Sequence, residues 1–585
     1  MSAERTTKEI LEEKLAGGER VPLYNPEALK VIEKELEEWK NKTVREKDRK
    51  NWEITPHTIL GSGIPRRLTY TPLDIANIDY MKDIGLPGGE PFTRGIHANM
   101  YRGRTFTMRP LPGAGTTEEM NRKWKFLIEQ GATGLSVALD LPTVQMFDSD
   151  EPEAKGHVAV VGVPLCCVDD WEVAFKDIPI DKISYSIVTH FPRNTAILLP
   201  MYLVMAERRG IPWDKLTGSV QNDIVMENLV RGAIEYIPPE DCFRVQCDNI
   251  EFIRKEVPQW NYITLNGYNL REYGTTGITE MAVAMANGIS IVEEMMSRGY
   301  DSDWVGERIA FFWAFANDFF EEVAKNRAAR RLWYKIMKYR FGAKNPRSMW
   351  LRTHVQTSGA SLTREEPINN IIRAAYHAMA SILTGTQSLH VSCFDEAFSV
   401  PSEKTLLPSV RTQQLIEQET QVTQVVDPLA GSFFVEWITN EMERKVLDEL
   451  DEIEKMGGIA KAIASGRLHH KIAEHIEREN RAIESGEISV VGRNVYKSEE
   501  PEPQIEVSAY QPEVYEQRKA MLQKVRDTRD NEKASSCLRA LVDACKRGKN
   551  VTYFTLECAR ANVTEGEMRK AFTEAFGTWK PPFML

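Results

Sequence analysis

Between about residue 100 and residue 425, short strand-like runs alternate with longer stretches of helical period. The strand-like runs are Thr105–Arg109, Leu135–Leu141, Ile183–Thr189, Leu216–Gln221, Phe243–Cys247, Tyr262–Gly267, Arg308–Trp313, Met349–His354 and Ser388–Cys393. The helical stretches are Thr117–Gln130, Ile197–Arg209, Ile278–Arg298, Phe315–Tyr339 and Pro367–Leu383. Such alternation predicts parallel strands joined by crossover helices. Nine runs are one too many for a closed eight-stranded barrel. Phe243–Cys247, which is short and leads straight into a charged helix, is the one to suspect. The expected fold is α/β: a (β/α)8 TIM barrel with an N-terminal arm and a C-terminal helical extension.

Polar or bulky residues recur at or just past the ends of the runs: Arg109, Asp140, Thr189 with His190, Gln221, Asn269, Gln356 and Ser392. A barrel assembles its site at that face from many strands. An open doubly wound sheet would gather its chemistry at one switch point. The spread of these residues favours the barrel.

The flanks differ in pattern. Residues 1–90 are charged and broken by proline; Glu27–Asp48 is expected to be an exposed helix and Ile54–Pro91 an extended arm. The barrel is assigned to 91–425. Residues 426–512 form a helical extension and linker, with breaks at Gly457-Gly458 and Gly466 and prolines at 501, 503 and 512. A small helical unit is expected over 513–585, where Thr564 and Glu567 have capping-box spacing.

Composition narrows the function. A net charge of −11 over 585 residues argues against nucleic-acid binding. No uncharged apolar run reaches membrane-spanning length. The longest, Ala196–Ala206, contains Pro200. With no apolar signal core near Met1, a cytoplasmic protein is expected. The eight cysteines include no Cys-x-x-Cys, and the ten histidines no His-Glu-x-x-His. His469, His470 and His475 read as a solvated helix face. Walker and Gly-x-Gly-x-x-Gly loops are absent. Neither a metal site nor nucleotide hydrolysis is expected.

Longer motifs say more. Tyr101-Arg-Gly-Arg-Thr-Phe-Thr-Met-Arg-Pro-Leu-Pro-Gly is followed by Gly134-Leu-Ser-Val-Ala-Leu-Asp-Leu-Pro-Thr and Gln221-Asn-Asp-Ile. Then come Asn326-Arg-Ala-Ala-Arg-Arg-Leu-Trp, Arg352-Thr-His-Val-Gln-Thr-Ser-Gly, Thr386-Gln-Ser-Leu-His, Asp395-Glu-Ala and Val426-Asp-Pro-Leu-Ala-Gly-Ser. In this order, over residues 90 to 490, the chain resembles the large, substrate-binding subunit of coenzyme B12-dependent acyl-CoA mutases, the methylmalonyl-CoA mutase family. The resemblance implies a barrel threaded by coenzyme A and capped by adenosylcobalamin. The cofactor supplies the radical, and the protein positions the substrate and excludes water. The family's Asp-x-His-x-x-Gly motif, whose histidine reaches cobalt, does not occur here. A separate small subunit is therefore expected to bring that ligand, in an α2β2 assembly whose small subunit the N-terminal arm would wrap.

By the same resemblance, Arg104, Thr107, Arg109, Ser136, Ser219, Gln221 and Arg308 match positions that contact coenzyme A or substrate. Leu139, Glu272, Gln356 and Glu396 match the cofactor side, and Tyr268 and Asn269 the reacting centre. Arg231, ten residues after Gln221, matches the arginine that pairs the free carboxylate of methylmalonyl- or succinyl-type substrates; members acting on uncharged acyl groups have glutamine there. Leu111 stands where methylmalonyl-CoA mutases have tyrosine, and Ala114 where they have phenylalanine, so a bulkier substrate is expected to fill the room. Ala138 lacks the aspartate of the hydroxyisobutyryl type. Asn269 replaces the family's histidine, so His190 is a candidate substitute donor to the thioester, and Arg193 could meet a second polar group. These features imply a mutase interconverting a substituted succinyl-CoA and a substituted malonyl-CoA, with an aryl or long alkyl substituent such as 2-aminophenyl. The alternatives are methylmalonyl- or ethylmalonyl-CoA, an uncharged branched acyl-CoA, or a non-catalytic scaffold.

Overall fold

The structure, a computed structural model, describes residues 5–54, 61–498 and 509–581. Its centre is built from β1 (Thr107–Met108), β2 (Gly134–Val137), β3 (Ser184–Ile187), β4 (Gly218–Val220), β5 (Trp260–Asn261), β6 (Ile263–Asn266), β7 (Ile309–Phe315), β8 (Arg352–Thr357) and β9 (Ser388–His390). All pair in parallel. One sheet runs β1-β9-β8-β7-β6 and the other β2-β3-β4-β5. β5 and β6 are one strand interrupted at Tyr262. The sheets meet at both edges: the Thr264 N–H donates to the Gln221 carbonyl (3.1 Å), and the Thr133 N–H to the Met108 carbonyl (3.1 Å).

A helix lies in each crossover, as parallel pairing requires: Thr117–Glu129, Val168–Ala174, Pro192–Arg208, Pro239–Glu256, Gly277–Ser297, Phe319–Lys335 and Asn369–Leu383. The apolar run Ala196–Ala206 is the buried middle of one of them, and it carries Pro200 inside the helix. The fold is thus mixed α/β with parallel sheets and mostly helical content. Close approach fixes Gly218 in β4, where an added methyl would collide with the Tyr185 carbonyl and the Trp260 ring.

Two expectations need correction. Phe243–Cys247 is not a strand. It lies inside Pro239–Glu256, a helix opened by Pro239 with Glu240 and Asp241 in its first turn. His469 is not solvated: it is buried and contacts the Asn228 carbonyl at 2.7 Å, whereas His470 is exposed.

Flanking helices sit as expected. Pro26–Lys42 buries no residue fully. Phe433–Lys455, Ile459–Ala464 and Arg467–Glu484 are separated at the predicted glycines. Pro501 and Pro503 fall outside the described residues, and Pro512 starts Pro512–Thr528. The capping box at Thr564 is present. The last helices pack against the centre. Asp148 accepts from the Gly566 N–H (2.9 Å), and Arg569 pairs with Glu235 (2.8 Å). Among the described residues no helix is long and apolar enough to cross a membrane. All eight cysteines are free, and among the described residues no cluster of histidine, cysteine and carboxylate side chains suited to a metal occurs.

Candidate functional site

Inward positions on parallel strands repeat every second residue. In β3 these are Ser184 and Ser186, followed by Val188. They meet Thr107, Ser136, Ser219, Gln221, Thr264, Phe312, His354, Gln356, Ser388 and His390 around a cavity of about 270 Å³. Arg109 and Leu111 line it too. The wall is mostly small hydroxyls and amides, with no carboxylate. Such a lining suits a neutral, hydrogen-bonding chain rather than a cation.

Arg109 is tied into the wall, donating to the Leu135 carbonyl (2.6 Å) and the Ser184 hydroxyl (2.8 Å). Burial pulls its guanidinium down to about 10. Burial also holds the His390 imidazole down at about 4 and His354 well below its usual range, so both are neutral at pH 7. The His390 Nδ1 accepts the Leu111 N–H at 3.3 Å, which fixes the loop that carries Leu111.

Because the strands are parallel, their ends sort by charge. Arg308 and Arg352 stand at the starts of β7 and β8, and Arg104 stands just before β1. Arg308 Nε and Arg352 Nη1 are buried and find no hydrogen-bond partner among the described residues. Arg104 is exposed. Guanidinium groups grouped at one mouth suit phosphate.

Carboxylates gather at the opposite end. Gln356 Nε2 donates to the Tyr268 hydroxyl (2.7 Å), and the Tyr268 ring stacks on Phe312 with centroids 4.6 Å apart. Glu272 accepts from the Ala360 N–H at 2.8 Å. A Cβ built at Gly359 would lie 2.6 Å from the Glu396 carboxylate and 3.1 Å from Glu272, so the two acids flank one glycine. Glu272 Oε1, Glu396 Oε2 and Gln221 Oε1 are buried and find no hydrogen-bond partner among the described residues. Burial, then the Glu272 charge, pushes the Glu396 carboxyl up to about 8. A folded-state value above the unfolded one means that Glu396 adds stability below about pH 4.5 and loses it as pH rises through about 8. Glu396→Gln is expected to flatten the fall in melting temperature between pH 6 and pH 9; an unchanged pH slope would contradict this.

Several predicted residues lie apart from the cavity. Ala138 and Leu139 follow β2. The Ala138 carbonyl accepts the Val163 N–H (2.8 Å), and Leu139 is buried in the main core. Ala114 lines a different, polar cavity beside Thr116 and Arg122. Asn269 turns to Met226 Sδ (2.7 Å) and Asn266 Oδ1 (3.2 Å), since it starts the short helix Tyr268–Glu272 instead of prolonging β6. Arg193 is buried and bonds the Glu235 carbonyl (2.9 Å).

Arg231 ends the turn Glu227–Arg231 beyond β4. There it lines a second cavity of about 430 Å³ with Leu141, Pro142, Phe147, Val230 and Ile234. It is exposed, not enclosed among the strands. Its nearest charge is Glu227, with Nε 3.6 Å from Oε1. Glu227 itself is buried and holds His190 Nδ1 at 2.6 Å. Sequence reasoning named His190 and Arg231 but missed Glu227, which lies 37 residues from His190. It also missed Ser184 and Ser186, whose small-polar alternation could have revealed them.

The site is thus a hydroxyl-lined cavity between parallel strands, with arginines at one mouth and carboxyl groups at the other. The chain belongs to the methylmalonyl-CoA mutase family, whose profile matches residues 60–578. It is 40% identical over 526 residues to the 2-hydroxyisobutanoyl-CoA mutase large subunit of Aquincola tertiaricarbonis, covering 90% of this chain and 92% of that one. It is 38% identical over 546 residues to the methylmalonyl-CoA mutase of Cereibacter sphaeroides (93% and 76%) and 38% over 558 residues to that of Rhizobium meliloti (94% and 76%). The chain is thus related to acyl-CoA mutases, which are isomerases.

Proposed function

We propose that this chain is the large subunit of a cytoplasmic, adenosylcobalamin-dependent mutase that interconverts a substituted succinyl-CoA and a substituted malonyl-CoA. The two sheets, joined at both edges, are inferred to form a closed barrel over 91–425. Coenzyme A enters at the arginine mouth, with Arg104, Arg308 and Arg352 facing its phosphates. Its amide chain runs along Thr107, Ser136 and Ser219, and the thioester reaches Gln221 and Gln356, which holds Tyr268.

The carboxylate end fits a nucleoside group. Glu272 Oε1 and Glu396 Oε2 are buried polar atoms with no hydrogen-bond partner among the described residues, a state costly unless polar groups of a ligand reach them. Glu272, Gln356 and Glu396 would hold the cofactor, which supplies the hydrogen-abstracting radical when bound. The match to nearly all of a relative named a large subunit supports the large-subunit reading. A small subunit would then bring the cobalt ligand, gripped by the 1–90 arm in an α2β2 assembly.

The observation that carries the substrate class is Arg231. Among the described residues its guanidinium makes one long ion pair and no hydrogen bond, on the wall of a largely apolar cavity. That leaves the guanidinium available to an acid group. As the small subunit closes over the strand ends, the free edge of Arg231 meets the acid, and the substituent fills the ring-free space beside Leu111. Methylmalonyl-CoA is the second reading, favoured by the relatives of that name, and it uses Arg231 in the same way. Reconstitution with a cobalamin-loaded small subunit tests the proposal. Conversion of 2-arylsuccinyl-CoA is expected, and turnover confined to uncharged acyl-CoA esters would overturn it.

A further inference from the structure

Arg231 does not act alone, and the arrangement behind it is unusual. Glu227 is 1% exposed at its side chain and His190 5%. The two come from different crossovers: His190 follows β3, and Glu227 opens the turn after β4. A buried carboxylate needs partners. Here it has two candidates at unequal distance, His190 Nδ1 at 2.6 Å and Arg231 Nε at 3.6 Å. The first is a short, charge-assisted hydrogen bond. The second is an ion pair too long for a hydrogen bond.

Arg231 is four residues beyond Glu227, a spacing at which an arginine readily folds back onto a carboxylate. The imidazole sits against the same oxygen, Oε1, that faces Arg231, so the guanidinium stays 3.6 Å away and lines the cavity. We propose that His190 and Glu227 are positioning residues that hold Arg231 open for the free acid group of a dicarboxylic thioester. This rests on the reading of Arg231 as the acid anchor and adds what sets its availability.

The charges facing His190 are Arg231 and Glu227. Burial first, then the nearby Arg231 cation, lowers the imidazole, and Glu227 opposes them. His190 is therefore neutral at pH 7 when the site holds no acid, with Nδ1–H donating to Glu227. A carboxylate docked on Arg231 offsets that cation and raises His190. Binding an acid then draws a proton onto the imidazole, keeping two cations matched to two anions. An uncharged acyl group leaves His190 as it was.

Isothermal titration of the chain reconstituted with a cofactor-free small subunit, using succinyl-CoA and butyryl-CoA, each in buffers of differing ionisation enthalpy, measures affinity and proton uptake together. Wild type is expected to prefer succinyl-CoA and to take up a fraction of a proton near pH 7 with that ligand alone. His190→Gln keeps a hydrogen-bonding side chain but cannot take the proton. It is expected to abolish the uptake and to cut the succinyl preference about tenfold, roughly 1.4 kcal/mol. Glu227→Gln should do the same, and matching circular dichroism spectra verify folding of both variants. Equal affinity of wild type for the two thioesters would defeat the acid-anchor reading itself. A wild-type preference that survives both substitutions with the same proton uptake would overturn the positioning role alone.

Discussion

Arg231→Gln is expected to lower kcat/KM for a dicarboxylic acyl-CoA roughly 10- to 150-fold, the equivalent of about 1.5–3 kcal/mol for a hydrogen bond to a charged group. The loss arises because glutamine offers one amide donor pair in place of a charged fork, leaving the substrate acid desolvated without a cation. The lower half of that range applies if water still reaches the guanidinium in the closed complex, since Arg231 is one-third exposed at its side chain in this chain by itself. Turnover of an uncharged acyl ester should change by less than about threefold, because no partner of the guanidinium is lost there. Steady-state kinetics on both substrates reads the difference. Equal effects on the two would mean that Arg231 supports the turn and not the acid.

Leu111→Phe is expected to have the opposite selectivity. Leu111 lines the cavity between the strands, and its backbone N–H is pinned to His390 Nδ1. A ring placed there takes the volume assigned to the substituent. Overpacking of this kind costs about 1–3 kcal/mol, roughly 5- to 150-fold. The loss should fall on aryl- or long-alkyl-substituted succinyl-CoA, with methylmalonyl-CoA within a few-fold of its wild-type rate. Competitive assay of the two substrates in one reaction reports the ratio directly. A variant that slows methylmalonyl-CoA just as much would place the substituent elsewhere.

The sequence pattern carried the strands well, because burial on both faces of a parallel sheet leaves short apolar runs with little else to explain them. Ile309–Phe315 and Arg352–Thr357 fall within a few residues of the expected Arg308–Trp313 and Met349–His354. Phe243–Cys247 misleads because Phe, Arg, Val, Gln and Cys alternate apolar with polar. Inside an amphipathic helix a fragment this short fits either period. Glu403–Glu419 is concealed by Pro408, which reads as a breaker but is carried within the helix. At the site, several residues that line the cavity between the strands, such as Thr107, Ser136, Ser219 and Gln221, were named from motifs, whereas Ser184 and Ser186 were not. What was not legible is contact between crossovers. Nothing in Met226-Glu-Asn-Leu marks Glu227 as the partner of a histidine in Thr189-His-Phe-Pro, and nothing near His469 marks it as buried against Asn228. Nor does the motif around Arg231 show that in this chain it faces a cavity above the strand ends.

The account turns on where the acid goes. A structure of the reconstituted enzyme with an unreactive thioether analogue of a 2-arylsuccinyl-CoA would locate it. The account predicts the free carboxylate within hydrogen-bond distance of the Arg231 guanidinium and the aryl group against Leu111. A carboxylate bound elsewhere, with Arg231 still turned away, would contradict it.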